Sequence, residues 1–342
     1  DRVCRGKKAA ALPLFLVLRC LRAFRGPEHQ KQFSPKCQMS SERLVYIMQI
    51  LFTTIIDGLN LGSVYALVAL GYSMVYGIAK MLNFAHGDVI MVGIYSIFVC
   101  LNMARLPAPV AMIVCVVICA ALGFVVEKLA YKPLRQSSSL SVLITAIGVA
   151  YLLQNVALLI FKSDRKFLQS FFDLGKVSVG SLEIPVISLV IWGTTIVIMI
   201  ALDLFIKKTS IGRAMLAVSE DKGAAQLMGV NVNRTISLTF VIGSALAGTA
   251  AVLYAAKYQN VDPYTGSVFG IKAFAAAVFG GIGSIPGAMI GGFSLGLIEA
   301  LTIGFLPDQM SAVSDGVAYG LLILMLILKP SGLLGKKHIE KV

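Results

Sequence analysis

Charge is scarce in this chain: Asp, Glu, Lys and Arg together make up 14% of 342 residues, against 57% hydrophobic. A soluble domain of this length cannot hide so much apolar surface, so the solvent for most of it is lipid. Cysteine offers no scaffold. Cys4, Cys20 and Cys37 lie near the start, while Cys100, Cys115 and Cys119 sit in apolar runs without pairing or ligand spacing, and read as small buried side chains. The three histidines, His29, His86 and His338, are far apart, and paired acids within the apolar runs do not stand out. An intramembrane enzyme and a metal centre therefore lack their groups, and no cofactor is expected. No Gly-x-x-x-x-Gly-Lys-[Ser/Thr] phosphate loop occurs either. Gly332-Leu333-Leu334-Gly335-Lys336 has the wrong spacing and follows no strand. A basic soluble face with aromatic platforms is missing too, which excludes nucleic acid as a partner.

What is present is a series of apolar runs of roughly 20 residues, enough to cross a bilayer. Candidate spans are Leu44–Asn60, Leu61–Ala79, Val89–Ala104, Pro109–Leu129, Leu140–Phe161, Ile184–Ile206, Thr235–Ala256, Val268–Gly283, Pro286–Phe305 and Ala312–Leu328. The first pair and the pair after Val268 each have room for a half-span or a broken helix. The expectation is an all-α polytopic bundle of about eight to ten crossings.

The net charge of +13 divides unevenly. Residues 1–38 hold nine Lys and Arg against Asp1 and Glu28, around one apolar stretch, Ala9–Leu18, too short to span. They read as a non-native or upstream leader, disordered and without a role, ahead of Met39; residues 39–335 then form the membrane domain, and 336–342 a cytoplasmic tail. Elsewhere Lys and Arg gather in three places: Lys128, Lys132 and Arg135; Lys207, Lys208, Arg213, Lys222 and Arg234; and Lys329, Lys336, Lys337 and Lys341. One threading puts all three on the cytoplasmic side, with both termini of the main body there and loop Lys162–Glu183 outside.

Three polar features interrupt the apolar background. Ser210–Arg234, within loop 207–234, has Ile211, Met215, Val218, Ala225 and Met228 at helical spacing and Arg213, Glu220, Asp221 and Lys222 on a polar side, with Gly229 as a helix end. Such a helix suits a groove on a soluble protein, and two central acids argue against anionic lipid as its only partner. Second, Gly280-Gly281-Ile282-Gly283-Ser284-Ile285-Pro286-Gly287 belongs either beside a pathway or at a tight turn between spans. Third, Asp57, Lys272 and Glu299 lie within apolar surroundings, where a charge costs roughly 2.5–3.5 kcal/mol on insertion scales. Lys272 either pairs with an acid on another span, lines a path, or snorkels to its helix end. Asn83, His86 and Asp88 form a further polar cluster between two runs. Asn83 and Asp88 are expected to cap helix ends while their loop folds back against the bundle.

Glu220, Ala224, Ala225 and Gly229 resemble the EAA-type coupling loop of ABC importer permeases, although Asp221-Lys222-Gly223 is inserted and no Leu-Pro ending follows. Gly58 to Leu67, Gly71 to Gly77, Asn83-Phe84-Ala85-His86-Gly87, Thr239 to Gly243 and Lys272 through Gly292 are similar to high-affinity branched-chain amino-acid permeases, closest to the LivH-type subunit. This resemblance, over nearly all of Leu44–Leu334, implies a bacterial inner-membrane importer permease whose ATP hydrolysis is on partner chains. The implied partners are a second (LivM-like) permease, two (LivG/LivF-like) ATPases and a periplasmic amino-acid-binding protein. The cargo it implies is Leu, Ile or Val; another amino acid, urea or a short amide stays open, as does an ion-coupled secondary transporter. Coupling then falls to Arg213, Glu220, Asp221, Ala224, Ala225 and Gly229. The pathway candidates are Asn60, Ser63, Tyr65, Asn83, His86, Lys272, Gly281, Gly283, Ser284 and Gly287.

Overall fold

The computed structural model of the chain describes residues 35–172, 175–179, 182–306 and 313–335. Residues 1–34 of the expected leader and the tail 336–342 lie outside the described residues. By contacts the chain divides into Asp1–Thr53 and Thr54–Val342. The described part of the first unit is helical, and the second unit contains the helical bundle.

Eleven α-helices are described: α1 (Pro35–Ala79), α2 (His86–Phe98), α3 (Ala108–Val126), α4 (Ser139–Phe161), α5 (Val186–Lys208), α6 (Ser210–Glu220), α7 (Lys222–Leu227), α8 (Val232–Tyr258), α9 (Thr265–Gly280), α10 (Ile285–Phe305) and α11 (Val313–Leu328). One π-helical turn each extends α2 to Met103 and α3 to Tyr131. Among the described residues seven helices are long and apolar enough to cross a membrane, and α9 and α11 are shorter apolar helices. The all-α expectation is met apart from two small ribbons. Lys166–Phe167 (β1) pairs with Asn260–Val261 (β4), and Lys176–Val179 (β2) with Leu182–Pro185 (β3), in the loop after α4.

One expectation fails. Leu44–Asn60 and Leu61–Ala79 are a single continuous helix, α1. Gly58 and Gly62, at the expected boundary, both lie against α10, where Leu297 and Phe293 approach their backbone. Glycine here serves close helix contact in lipid. The threading expected from Lys and Arg counted two crossings here, where the structure has one continuous helix.

Local chemistry sets the helix ends. Pro185 precedes α5, Ser138 accepts a hydrogen bond from the Ser141 amide at the start of α4, and Ser284 accepts one from Gly287 at the start of α10. α1 stops where Lys80 takes φ 59°. The chain then folds back: His86, the first residue of α2, sits against Gly71. Gly71 is eight residues before Ala79, about 12 Å along the helix. α2 therefore begins inside the bundle. There Gly87 meets Gly266 and Gly270, and the antiparallel α9 passes backbone to backbone. α9 itself, at 16 residues, is about 24 Å long, short of a ~30 Å hydrocarbon core.

The glycine-rich stretch forms a tight turn between two spans. Gly281 (φ 107°) and Gly283 (φ 89°) reverse the chain between α9 and α10. Ser73 on α1 holds that turn, its Oγ accepting from the Gly283 amide (2.8 Å) and donating to the Ser284 carbonyl. The segment after α11 packs there too, with Leu333 N–H donating to Phe279 and Leu334 N–H to Gly280.

Close approach predicts mutational cost. A Cβ at Gly292 would fall 2.4 Å from the Ala66 backbone, whereas Gly148 faces open space. Gly292→Leu should lower stability by about 1–3 kcal/mol or more, seen as a clear drop in thermal unfolding temperature in detergent. Gly148→Leu should leave it unchanged; equal behaviour of the two would contradict the α1–α10 packing.

Candidate functional site

The coupling region is built on three anchors. Thr209 ends α5 and begins α6, its Oγ1 accepting from the Gly212 amide. Gly212 packs so tightly on Ile206 that a Cβ would lie 2.3 Å from its carbonyl oxygen. Asp221 then breaks the helix in extended conformation, and its Oδ1 accepts from the amides of Gly223 and Ala224 to start α7. The inserted Asp221-Lys222-Gly223 is thus a cap between two short helices. Asn231 caps α8 in the same way, accepting from Arg234 N–H. Lys222 Nζ donates to the Ala79 carbonyl, 2.9 Å away, tying α7 to the last residue of α1. Burial, with Arg135 and Lys80 nearby, lowers the basicity of Lys222.

Met215, Val218 and Ala225 are buried beneath this region. Arg213, Glu220, Asp221, Ala224 and Gly229 are exposed. Ala225 is therefore a packing residue, not part of the outer surface. Met228, expected on the inward stripe, is 84% exposed, and Leu227 is 91% exposed. Two nearly bare apolar side chains at one tip, with none of the described residues covering them, make a contact surface.

The pathway candidates do not converge on one place. Tyr65 and Lys272 do meet, through Glu299: Tyr65 donates to one carboxylate oxygen (2.9 Å) and Lys272 Nζ to the other (2.7 Å). Lys272 also pairs with Asp315 at 2.8 Å. It is buried, so the pairing reading holds and the snorkelling one does not. Asn60 instead donates to Ser188 on α5, and Ser63 bonds back to the Leu59 carbonyl of its own helix. Asn83 accepts from Tyr131 (2.8 Å), while Asp88 accepts from Gln154 (3.0 Å). Neither side chain caps a helix, contrary to expectation: Ala85 is the α2 N-cap, without a side-chain bond. The backbone of Asn83 does the local work, its carbonyl accepting from His86 N–H. His86 stacks edge-on against Tyr72, ring centroids 4.9 Å apart. Gly281, Gly283 and Ser284 belong to the α9–α10 turn, and Gly287 lies in the first turn of α10.

Other charges in or near the spans also find partners. Asp57 pairs with Lys257, Asp203 with Lys207, and buried Glu127 with Arg135 and Ser237. Sequence reasoning missed Asp315 and Lys257. Both are ionisable residues at the ends of apolar runs, which was the available signal. Among the described residues no group of His, Cys, Asp and Glu has the arrangement of a metal site.

Lys222→Met removes the tie from α7 to α1. For a partly exposed hydrogen bond to a cation the loss is about 1 kcal/mol, so hydrogen exchange of the α7 amides should rise about fivefold. Unchanged exchange would show that the tie does not hold α7.

Known proteins share this chain's pattern over most of its length. Residues 54–326 match the family described as branched-chain amino acid transport system / permease component. The high-affinity branched-chain amino acid transport system permease protein LivH of Salmonella typhimurium is 44% identical over 315 residues, covering 88% of this chain and 100% of that protein. BraD of Pseudomonas aeruginosa, which carries the same description, is 43% identical, over 84% and 97%. The probable branched-chain amino acid transport permease LivH of Methanocaldococcus jannaschii is 30% identical, over 79% and 88%.

Proposed function

The chain belongs to the branched-chain amino acid transport permease family, and from that premise we propose that it is the LivH-type membrane subunit of an ATP-driven importer of Leu, Ile and Val. It is a transport subunit and not an enzyme. The family implies separate ATPases, a second permease and a binding protein; by likeness to LivH these are LivG/LivF-like, LivM-like and periplasmic. Its place is the bacterial inner membrane.

The observation that carries the mechanism is the α6–α7 tip. An exposed Leu227–Met228 pair beside exposed Glu220 and Arg213 suits a groove on a soluble partner better than open water. Nucleotide binding on the ATPases favours one arrangement of the partners, and the docked helices pass it to α5, α8 and α1 through Thr209, Asn231 and Lys222. Lys132, Arg135, Lys207, Lys208 and Lys222 gather at this end of the bundle, so we assign it to the cytoplasm together with the C-terminus. With α1 a single crossing, its Thr54 end faces outward. Residues 39–335 form the working permease with coupling loop 207–234, and residues 1–38 have no part in transport. Tyr65 and Lys272 lie on the pathway in the outward half, where weak contacts are enough because the binding protein selects the cargo.

Leu227→Asp and Met228→Asp should abolish co-purification with the ATPases and stop uptake while the subunit stays membrane-inserted. Asp221→Lys should do less specific damage, because it removes the α7 cap; Glu220→Lys tests charge alone. Unchanged uptake and association in the Leu227 and Met228 variants would remove the coupling role. Cargo identity is tested by the ligand that the cognate binding protein retains, expected to be Leu, Ile or Val.

A further inference from the structure

α9, α10 and α11 bring three charges together with a fixed gradient of exposure. Asp315, in the first turn of α11, has a side chain 49% exposed; Lys272 and Glu299 are 8% and 7% exposed. Lys272 lies seven residues into α9 and Glu299 six residues before the end of α10, each about 10 Å along its helix. Tyr65 of α1 closes the inner end with its hydrogen bond to Glu299. The result is a ladder of carboxylate, ammonium and carboxylate, open at Asp315 and sealed at Tyr65.

Among the described residues the count of charges does not balance. One ammonium serves two carboxylates, and the pair of Asp57 with Lys257 neutralises itself. An excess anion in apolar surroundings is costly unless a cation reaches it. Glu299 is fully used, with one oxygen on Lys272 and the other on Tyr65. Asp315 is the member with free surface. A lysine ammonium has three donors, so Lys272 can keep Glu299 while exchanging Asp315 for another carboxylate.

We propose that Lys272 and Asp315 form a head-group site for a free α-amino acid in transit. The cargo carboxylate takes the place of Asp315 on Lys272, and the displaced Asp315 receives the cargo ammonium. Glu299 and Tyr65 act as positioning residues that hold Lys272 in place. Insertion of a zwitterion leaves the charge count unchanged and gives each displaced group a new partner of opposite sign. A ligand lacking either charged group leaves one partner bare. The ladder thus recognises what all α-amino acids share and ignores the side chain. This proposal rests on the importer reading above and specifies which atoms of the cargo the membrane subunit touches.

The test uses the complete importer, with both permeases, the ATPases and the binding protein, reconstituted in lipid vesicles. Losing a charge-assisted contact to the cargo should lower leucine uptake by Asp315→Asn about tenfold or more. Complex assembly and ATPase stimulation by loaded binding protein should persist, and Asp315→Glu should restore uptake. Full uptake by Asp315→Asn would overturn the proposal, as would loss of assembly together with uptake in both variants, which would make Asp315 structural. A second measurement uses Val313→Cys, at an exposed neighbouring position, labelled by a membrane-impermeant maleimide without binding protein. L-leucine should slow labelling, whereas 4-methylpentanoate and 3-methylbutylamine should not, and Asp315→Asn should abolish the protection. Equal effects of all three, or none from leucine, would also overturn it. If the unaltered complex imports no amino acid at all, the importer reading itself fails, a result distinct from either outcome.

Discussion

A charge placed in lipid must be answered by another charge, and much of this fold can be understood as the set of answers. Lys272 holds two carboxylates from two other helices, Glu127 holds Arg135, and Asp57 holds Lys257. The Asp57 pair joins α1 to α8, and the Lys272 pairs tie together three successive helices, so the polar minority of the chain helps specify which helices are neighbours. The apolar majority cannot do this, because lipid and Leu are equivalent partners for a Leu side chain. Glycine contributes the second constraint. Where α1 crosses α10, and where α2 passes α9, backbones approach closely enough that a methyl group would collide. Ion pairs choose the partners, and missing side chains set the distances.

The two ends of this architecture are also held in different ways. The α9–α10 turn, Ser73 and the segment after α11 are interlocked through backbone hydrogen bonds. The α6–α7 region is different, attached at its two ends by Thr209 and Asn231 and in the middle by Lys222, with its apolar tip uncovered. It is also seated on its own buried Met215, Val218 and Ala225, so the region is anchored to the bundle while its tip stays bare.

Most of the helices were legible because a span is a long apolar run, a signal that survives without neighbours. Val89–Ala104 and Thr235–Ala256, for example, fall within three residues of the observed ends. The exceptions share one cause. α1 was divided between Asn60 and Leu61, whereas the helix runs on there and Gly58, Asn60 and Gly62 are contact points with α10 and α5. Asn83 and Asp88 looked like caps because caps are local, but their side chains bond to Tyr131 and Gln154, 48 and 66 residues away. Lys272 was recognisable as costly, yet its partners were not, since nothing in the order of residues says that Glu299 and Asp315 face it. Spacing carries information about one helix at a time, and the site is a property of several.

The uncovered Leu227 and Met228 have a consequence for biosynthesis. A subunit made in excess of its partners displays an oily knob to water, and such a surface attracts whatever apolar material is near. Under the proposed coupling role, balanced production of the assembly would be written into two side chains: an orphan copy would be adhesive, and the finished complex would conceal them.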